Sequence, residues 1–290
     1  MKNRKLTPSA EHALKNLSNN ERALYVLKEK WIPYMEGTDI LEELQFILNH
    51  PRGDRPSGMA IIGDSNNGKT KILKSFINSN QTIRFEDRAN VRILDIEAPP
   101  VPSLPQLYAK ILNRIGDPRA EKGVASMRLE RLIILLTRLE VECLVVDEIH
   151  NVLAGSPVQQ RAFLNMLKHI SNELKSPVII AGTNKVDTVV GTDYQVQSRY
   201  PIYRLPLWEP NKEMGEFLVR LEATLPLRNE SRIWEWTGEL YQLSGGVIGN
   251  IVGIVRRAAY EAIKSGSDKI TLKSLKHSAR KVKKPGGLDN

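Results

Sequence analysis

Five short apolar runs punctuate the middle of the chain: 59–63 (MAIIG), 91–96 (VRILDI), 143–148 (CLVVDE), 178–183 (VIIAGT) and 202–206 (IYRLP). Each is nearly continuous in hydrophobicity instead of alternating, so each predicts a strand buried on both faces. Between them the apolar spacing becomes helical. Residues 69–78, 104–115, 127–139 and 159–174 predict helices, and in the last of these Phe163, Leu164, Leu167, Ile170 and Leu174 fall on one face. Strands alternating with helices predict an α/β fold, a parallel five-stranded sheet flanked by helices. Upstream, residues 20–50 predict helices ("NERALYVLKEKWIPY", then "TDILEELQFILNH"), with "PRGDRPSG" as a loop. After "LWEP" the strands stop. Helical patterns occupy 211–223, 231–243 and 248–264, and a basic segment starts at 269. The expected division is a helical lead-in over 1–52, an α/β domain over 53–207, a small all-helical domain over 208–268 and a basic tail over 269–290. No internal repeat or low-complexity block interrupts this pattern.

Composition narrows the class. A hydrophobic content of 41% is ordinary for a soluble globular protein. No apolar run approaches the roughly 20 residues that span a bilayer. The polar opening "MKNRKLTPSAEHALKNLSNNER" lacks the apolar stretch of a signal peptide, so a cytoplasmic protein with no membrane partner is expected. Cys143 is the single cysteine and sits in an apolar run, which excludes an intramolecular disulfide and predicts a buried structural role. The net charge of +9 suggests a polyanionic partner. From Lys269 to Lys284 there are seven basic residues and no acid, a run that reads equally as a solvated terminal helix or as a nucleic-acid contact.

The chemistry enters at Gly63-Asp64-Ser65-Asn66-Asn67-Gly68-Lys69-Thr70, which fits G-x-x-x-x-G-K-[ST]. A strand precedes it and a helix follows. Its glycines let backbone N–H groups turn around phosphates, Lys69 reaches the β/γ-phosphates, and the Thr70 hydroxyl is placed to hold Mg²⁺. The nucleotide-binding stretch is taken to run from Gly63 through Lys71. The strand "CLVVDE" ends in Asp147-Glu148. In P-loop enzymes such an Asp holds Mg²⁺, and the adjacent Glu can orient or deprotonate a water. A kinase of small molecules has no need of that second carboxylate, so the pair favours ATP hydrolysis over a strand that merely exits into acids. "VIIAGTNK" brings Thr183 and Asn184 to a strand end where either could touch the γ-phosphate or the water, although Thr-Asn is also ordinary turn chemistry. Arg199 precedes the last strand and could neutralise charge on a neighbouring subunit's γ-phosphate. Arg204 is its rival, and an ordinary surface arginine is the plain alternative.

In that order, the P-loop, the Asp-Glu strand, the Thr-Asn strand end, the late arginine and the helical region resemble the AAA+ ATPases, and more closely the TniB/TnsC group of transposition regulators. "GDSNNGKTKILKSF", "CLVVDEIHNVLAGS", "VIIAGTNKVDTVVGTDYQVQSRY" and "ERALYVLKEKWIPY" carry the resemblance, which spans about residues 20–265. It implies ATP and Mg²⁺ as cofactors, Lys69 and Thr70 as phosphate and Mg²⁺ ligands, Asp147 and Glu148 as the Walker B pair, Asn184 (or Thr183) as sensor 1, and Arg199 as a finger acting in trans. The C-terminal helices would form the lid. "SGGVIGNI" would open the sensor-2 helix, but Gly249 stands where many relatives have arginine, and no arginine follows until Arg256. The resemblance further implies ATP-dependent assembly as a homo-oligomeric ring or helical filament around double-stranded DNA, bound without sequence preference. That assembly would recruit or activate a DDE-type transposase, with a guide, a TniQ-like adaptor or the transposase itself choosing the target, and hydrolysis would dissolve it. Action at the bacterial nucleoid is the expected location. DNA-facing residues would come from "EAPPVPSLPQ" and "GDPRAEKGVAS": Ser103, Arg119 and Lys122. A AAA+ helicase loader or initiator-like replication factor would share every ATP-site residue. A nucleotide-binding adaptor or a small-molecule phosphotransferase is a more distant alternative.

Overall fold

A computed structural model describes residues 5–53, 56–81, 83–84, 89–187 and 197–282. Part of the stretch leading to Arg199 (188–196) and the basic residues Lys283 and Lys284 lie outside the described residues. The chain divides into two compact units: Glu36–Ser65 with Lys69–Leu205, and Met1–Met35 with Asn66–Gly68 and Pro206–Asn290.

The first unit is built on strands β1 (Met59–Gly63), β2 (Ile83–Arg84), β3 (Ala89–Asn90), β4 (Ile93–Glu97), β5 (Cys143–Asp147), β6 (Val178–Gly182) and β7 (Ile202–Leu205). Five of them form one parallel sheet in the order β4-β5-β6-β1-β7, as the apolar runs predict. The β2–β3 pair is a small antiparallel addition without a sequence signal. Every residue of β1 and β6 is buried, which is why these runs are apolar throughout and not alternating. Cys143 is fully buried at the start of β5, and burial pushes its thiol pKa up, so it serves as packing.

Helices Leu104–Arg114, Ala125–Arg138 and Pro157–Leu174 cover the sheet with Leu107, Ile111, Leu132, Leu136, Phe163, Leu167 and Ile170. Each such buried side chain contributes about 1.5–3 kcal/mol relative to exposure. The last of the three starts sharply because Ser156 and Gln159 form a capping box and Pro157 opens the first turn. In the register of the sheet, Ile62 lies opposite Gly182, Gly63 opposite Leu205 and Glu97 opposite Asp147. All five carboxyl ends therefore meet one rim. The strand order reverses around β1, and the crevice at such a reversal is where open α/β sheets bind ligands.

The second unit is helical, with Pro8–Asn16, Asn19–Leu27, Lys212–Ala223, Thr237–Ser244, Ile248–Lys264 and Leu272–Val282 among its described residues. Ile248–Lys264 is its spine, burying Ile251, Ile254, Val255, Ala258, Ala259 and Ala262. Two findings differ from the sequence pattern. An extra helix, Pro8–Asn16, forms where the chain looks merely polar, started by the Thr7 side-chain cap and Pro8. The stretch 28–34 is not helical, since Pro33 biases Ile32 away from the α region. Tyr34 there packs against Trp208 and Phe217. The basic segment is itself a helix, with Leu275, Ser278 and Ala279 buried. Arg22 and Asp268, 0% and 2% exposed, form a bidentate pair at 2.7 and 3.0 Å that fastens Asn19–Leu27 to the end of the spine. Among the described residues, no helix is long and apolar enough to cross a membrane.

Candidate nucleotide site

β1 delivers the chain into the phosphate loop, and the helix Lys69–Ser79 takes it away. Asn66 (φ 61°) and Gly68 (φ 94°) adopt left-handed conformations that turn the loop. Lys69 is 7% exposed, and its Nζ donates to the carbonyls of Gly63 and Asp64 at 2.8 Å each. Burial pulls its pKa down, while Glu148, Asp147 and Asp64 pull it back up. Ser65 is exposed on the loop, and Lys71 is half-buried one residue after Thr70.

The neighbouring strands bring in the other groups. Thr70 Oγ1 donates to Asp147 Oδ2 at 2.7 Å, and Glu148 N donates to Asp147 Oδ1 at 2.8 Å. Glu148 has φ 55°, a left-handed conformation uncommon outside glycine, at the start of the 3₁₀ turn Ile149–Ala154. That turn packs so closely on β6 that a Cβ on Gly182 would lie 2.9 Å from Ile149 and 3.2 Å from His150 N. His150 Nδ1 lies 3.1 Å from Glu148 Oε2. Asn184 Nδ2 donates to Asp64 Oδ1 at 2.9 Å, so the end of β6 reaches the phosphate loop. Thr183 Oγ1 is buried with no hydrogen-bond partner among the described residues.

These groups fit a nucleotide with Mg²⁺. A hydroxyl and a carboxylate side by side are the hard oxygen donors that Mg²⁺ takes, completed by phosphate oxygens and water. Among the described residues there is no cluster of three or more His, Cys, Asp or Glu that would hold a metal by protein ligands alone.

Arg199 is half-buried and held within its own unit: Nη1 donates to Pro56 O at 3.0 Å and Nη2 to Asn172 Oδ1 at 2.9 Å. Arg204 instead makes an exposed pair in which Nη2 donates to both carboxylate oxygens of Asp187 at 2.8 Å. Arg119 and Lys122 are exposed on the loop before Ala125–Arg138. Arg131 pins this loop from the helix, pairing with Asp117 at 2.8 Å and donating to the carbonyls of Arg119 and Lys122. Ser103 caps Leu104–Arg114 by accepting from Gln106 N at 3.4 Å. Nothing local in the sequence marks Asn172 or Arg131, and His150 stands out only as a polar residue close behind Glu148.

The loop tip Asn66–Gly68 groups with the helical unit. Asn67, 2% exposed, donates from Nδ2 to Pro206 O at 2.9 Å, and Asn66 Nδ2 donates to Asn250 Oδ1 at 3.0 Å.

Solved structures share this architecture. The chain is similar to Cdc6p from Pyrobaculum aerophilum, with 17% identity, 91% of this chain and 72% of that chain covered, and a TM-score of 0.66. It is similar to the Aeropyrum pernix ORC1 protein, solved in complex with DNA, at 16% identity, 90% and 69% coverage and a TM-score of 0.65. Domain III of the Thermotoga maritima replication initiation protein DnaA matches at 14% identity, 97% and 99% coverage and a TM-score of 0.54. Comparison with curated protein sequences returns no match. The five-stranded sheet, the P-loop and the helical region together make the AAA+ fold that these structures share. More narrowly, the chain belongs to the family described as "Bacterial TniB protein", whose family model matches residues 22–210.

Proposed function

We propose that this protein is an ATP-dependent DNA-binding ATPase of transposition. It assembles on target duplex DNA, recruits or activates a DDE-type transposase, and uses hydrolysis to take the assembly apart. Besides family membership, the observation that supports this most is the 2.7 Å contact between Thr70 and Asp147, with Glu148 next along the backbone. It joins a metal-binding pair to a candidate base.

In this reading Lys69 exchanges its loop carbonyls for phosphate oxygens, and Thr70 and Asp147 would hold Mg²⁺, which when bound would supply positive charge against that of the phosphates. Glu148 accepts a proton from the attacking water. Asn184, with Thr183 beside it, orients that water or the γ-phosphate. Arg199 reaches the nucleotide of the next subunit in a ring or helical filament. Arg119, Lys122 and Ser103 contact DNA phosphates without reading sequence. A TniQ-like adaptor is an optional partner, and the assembly works at the nucleoid.

A second reading, an initiator-like replication factor or helicase loader, is favoured by the likeness to Cdc6p, ORC1 and DnaA. Electron microscopy of the protein with duplex DNA, with and without a slowly hydrolysed ATP analogue, tests the assembly. ATP-dependent rings or filaments are expected, and monomers in both conditions sink it. ATP-dependent capture of a transposase, and not of a replicative helicase, separates the two readings. In Glu148→Gln, ATP still binds, hydrolysis falls by on the order of 10²–10⁴, and DNA-bound assemblies persist. Parent-like hydrolysis removes Glu148 as the base.

A further inference from the structure

The helix Ile248–Lys264 starts without a cap of its own, because its N-cap residue is Val247, which has no acceptor side chain. The first N–H groups of a helix find no partner inside it. Here two are met by the phosphate loop. Ile248 N donates to Asn67 Oδ1 at 3.4 Å, and Gly249 N donates to Asn66 O at 3.0 Å. The side chains lock the arrangement: Asn66 Nδ2 reaches Asn250 Oδ1 at 3.0 Å, and Asn250 Nδ2 reaches Ser244 O at 3.0 Å.

The approach leaves no room for a side chain at position 249. A Cβ on Gly249 would lie 2.2 Å from Asn66 Oδ1 and 2.5 Å from Asn66 O. Gly249 is therefore required by space and not by backbone conformation. No arginine can project from this position while the contact stands.

We propose that Asn66 and Asn67 are positioning residues that report the state of the phosphate loop to the helix Ile248–Lys264. The inference rests on reading this loop as the ATP site. A loop gripping phosphates has its tip held in one conformation, and that conformation offers Asn66 O and Asn67 Oδ1 to the helix. Displacing the tip uncaps the first turn and breaks the Asn66–Asn250 pair at once. Occupancy of the loop and order of the helix start are then linked, and the linkage is reciprocal. Nucleotide sensing runs through carboxamides and a helix cap, with no arginine at position 249.

The test uses the full chain, with Gly249→Ala and Asn250→Ala as variants outside the phosphate loop. ATP binding is measured by equilibrium dialysis, and amide hydrogen exchange is followed over residues 247–252. Trp31, Trp208, Trp234 and Trp236 are all the tryptophans of the chain and all lie in the helical unit, so their emission is a second readout. In the parent, ATP slows exchange over 247–252 and shifts tryptophan emission. Both variants bind ATP, but their ATP-dependent protection of 247–252 falls by about fivefold or more, the lower end of ordinary coupling between sites. Parent-like protection in the variants overturns the proposal, as does a parent that binds ATP without protecting the segment. A parent that fails to bind ATP overturns the ATP-site reading itself. If Gly249→Ala unfolds, Asn250→Ala, which only removes atoms, carries the test.

Discussion

Thr70 Oγ1 donates a 2.7 Å hydrogen bond to Asp147 Oδ2, tying the first turn of Lys69–Ser79 to the end of β5. The contact preorients both oxygens that would face one Mg²⁺. Thr70→Ser keeps the hydroxyl and is expected to keep Mg²⁺-dependent turnover. Thr70→Val keeps the shape and loses the donor. It should raise the Mg²⁺ concentration needed for half-maximal hydrolysis by about 10–100-fold. A Mg²⁺ titration of ATP turnover in both variants reads this, and a Thr70→Val curve that overlays the parent removes Thr70 from the metal site.

Arg199 binds Pro56 O and Asn172 Oδ1 within its own unit, so any role on a nucleotide requires it to leave those partners for a neighbouring subunit. Arg199→Ala alone should bind ATP, hydrolyse it poorly and gain nothing from higher protein concentration. Lys69→Ala alone should be inactive because its loop no longer grips the phosphates. Mixing the two should restore hydrolysis, because Lys69→Ala subunits supply Arg199 to ATP held by Arg199→Ala subunits. A mixture as inactive as its components removes the action in trans, and parent-like turnover of Arg199→Ala removes the role entirely.

Arg22 and Asp268 join residues far apart in the chain inside the helical unit. Asp268 also receives Arg228 Nη1 at 3.3 Å, and Arg22 Nη1 donates to Pro226 O at 2.7 Å. Removing one member of a buried pair strands the other, so Arg22→Met should cost about 3–5 kcal/mol. Arg22→Met combined with Asp268→Asn should regain a good part of that loss. Urea unfolding of the parent, both single variants and the double variant reads it as a double-mutant cycle. A single Arg22→Met loss below about 1 kcal/mol would mean the pair is not holding this helix.

How far the sequence reveals these features depends on their range. The strands are legible because sheets covered on both faces need unbroken apolar runs, and β1, β5 and β6 have them. The phosphate loop is legible because its backbone needs glycine at fixed spacing, and Asp147 because it ends a strand. Arg22 is not legible, since nothing near it in sequence distinguishes it from a helix-surface arginine. Nor is the docking of Asn66 and Asn67 on Val247–Asn250, where the signal is an absence: glycine at 249 and no side-chain cap at Val247. The basic segment reads from sequence equally as a solvated terminal helix or as a nucleic-acid contact, and its buried Leu275 and Ala279 lie at the i, i+4 spacing of an amphipathic helix.

That buried stripe changes how the basic segment is tested. Cutting the chain after Asp268 would remove Ile270, Leu275 and Ala279 from the core of the helical unit, confounding the removal of charge with the removal of packing. The exposed face carries Lys269, Lys273, Lys276, Arg280 and Lys281, and of these Lys281 already pairs with Glu261 at 3.3 Å. The triple charge reversal Lys273→Glu, Lys276→Glu, Arg280→Glu leaves the core intact, so the melting temperature should move little. If this face lies against duplex DNA, binding weakens and the slope of log K against log salt falls by about 0.9 for each phosphate that the variant no longer neutralises. Arg119→Ala with Lys122→Ala, read in the same assay, measures the other candidate surface. Fluorescence anisotropy across a salt series, with and without an ATP analogue, separates the two. A triple variant with parent-like affinity and slope makes the basic helix a solvated face and leaves DNA binding to the loop that Arg131 holds.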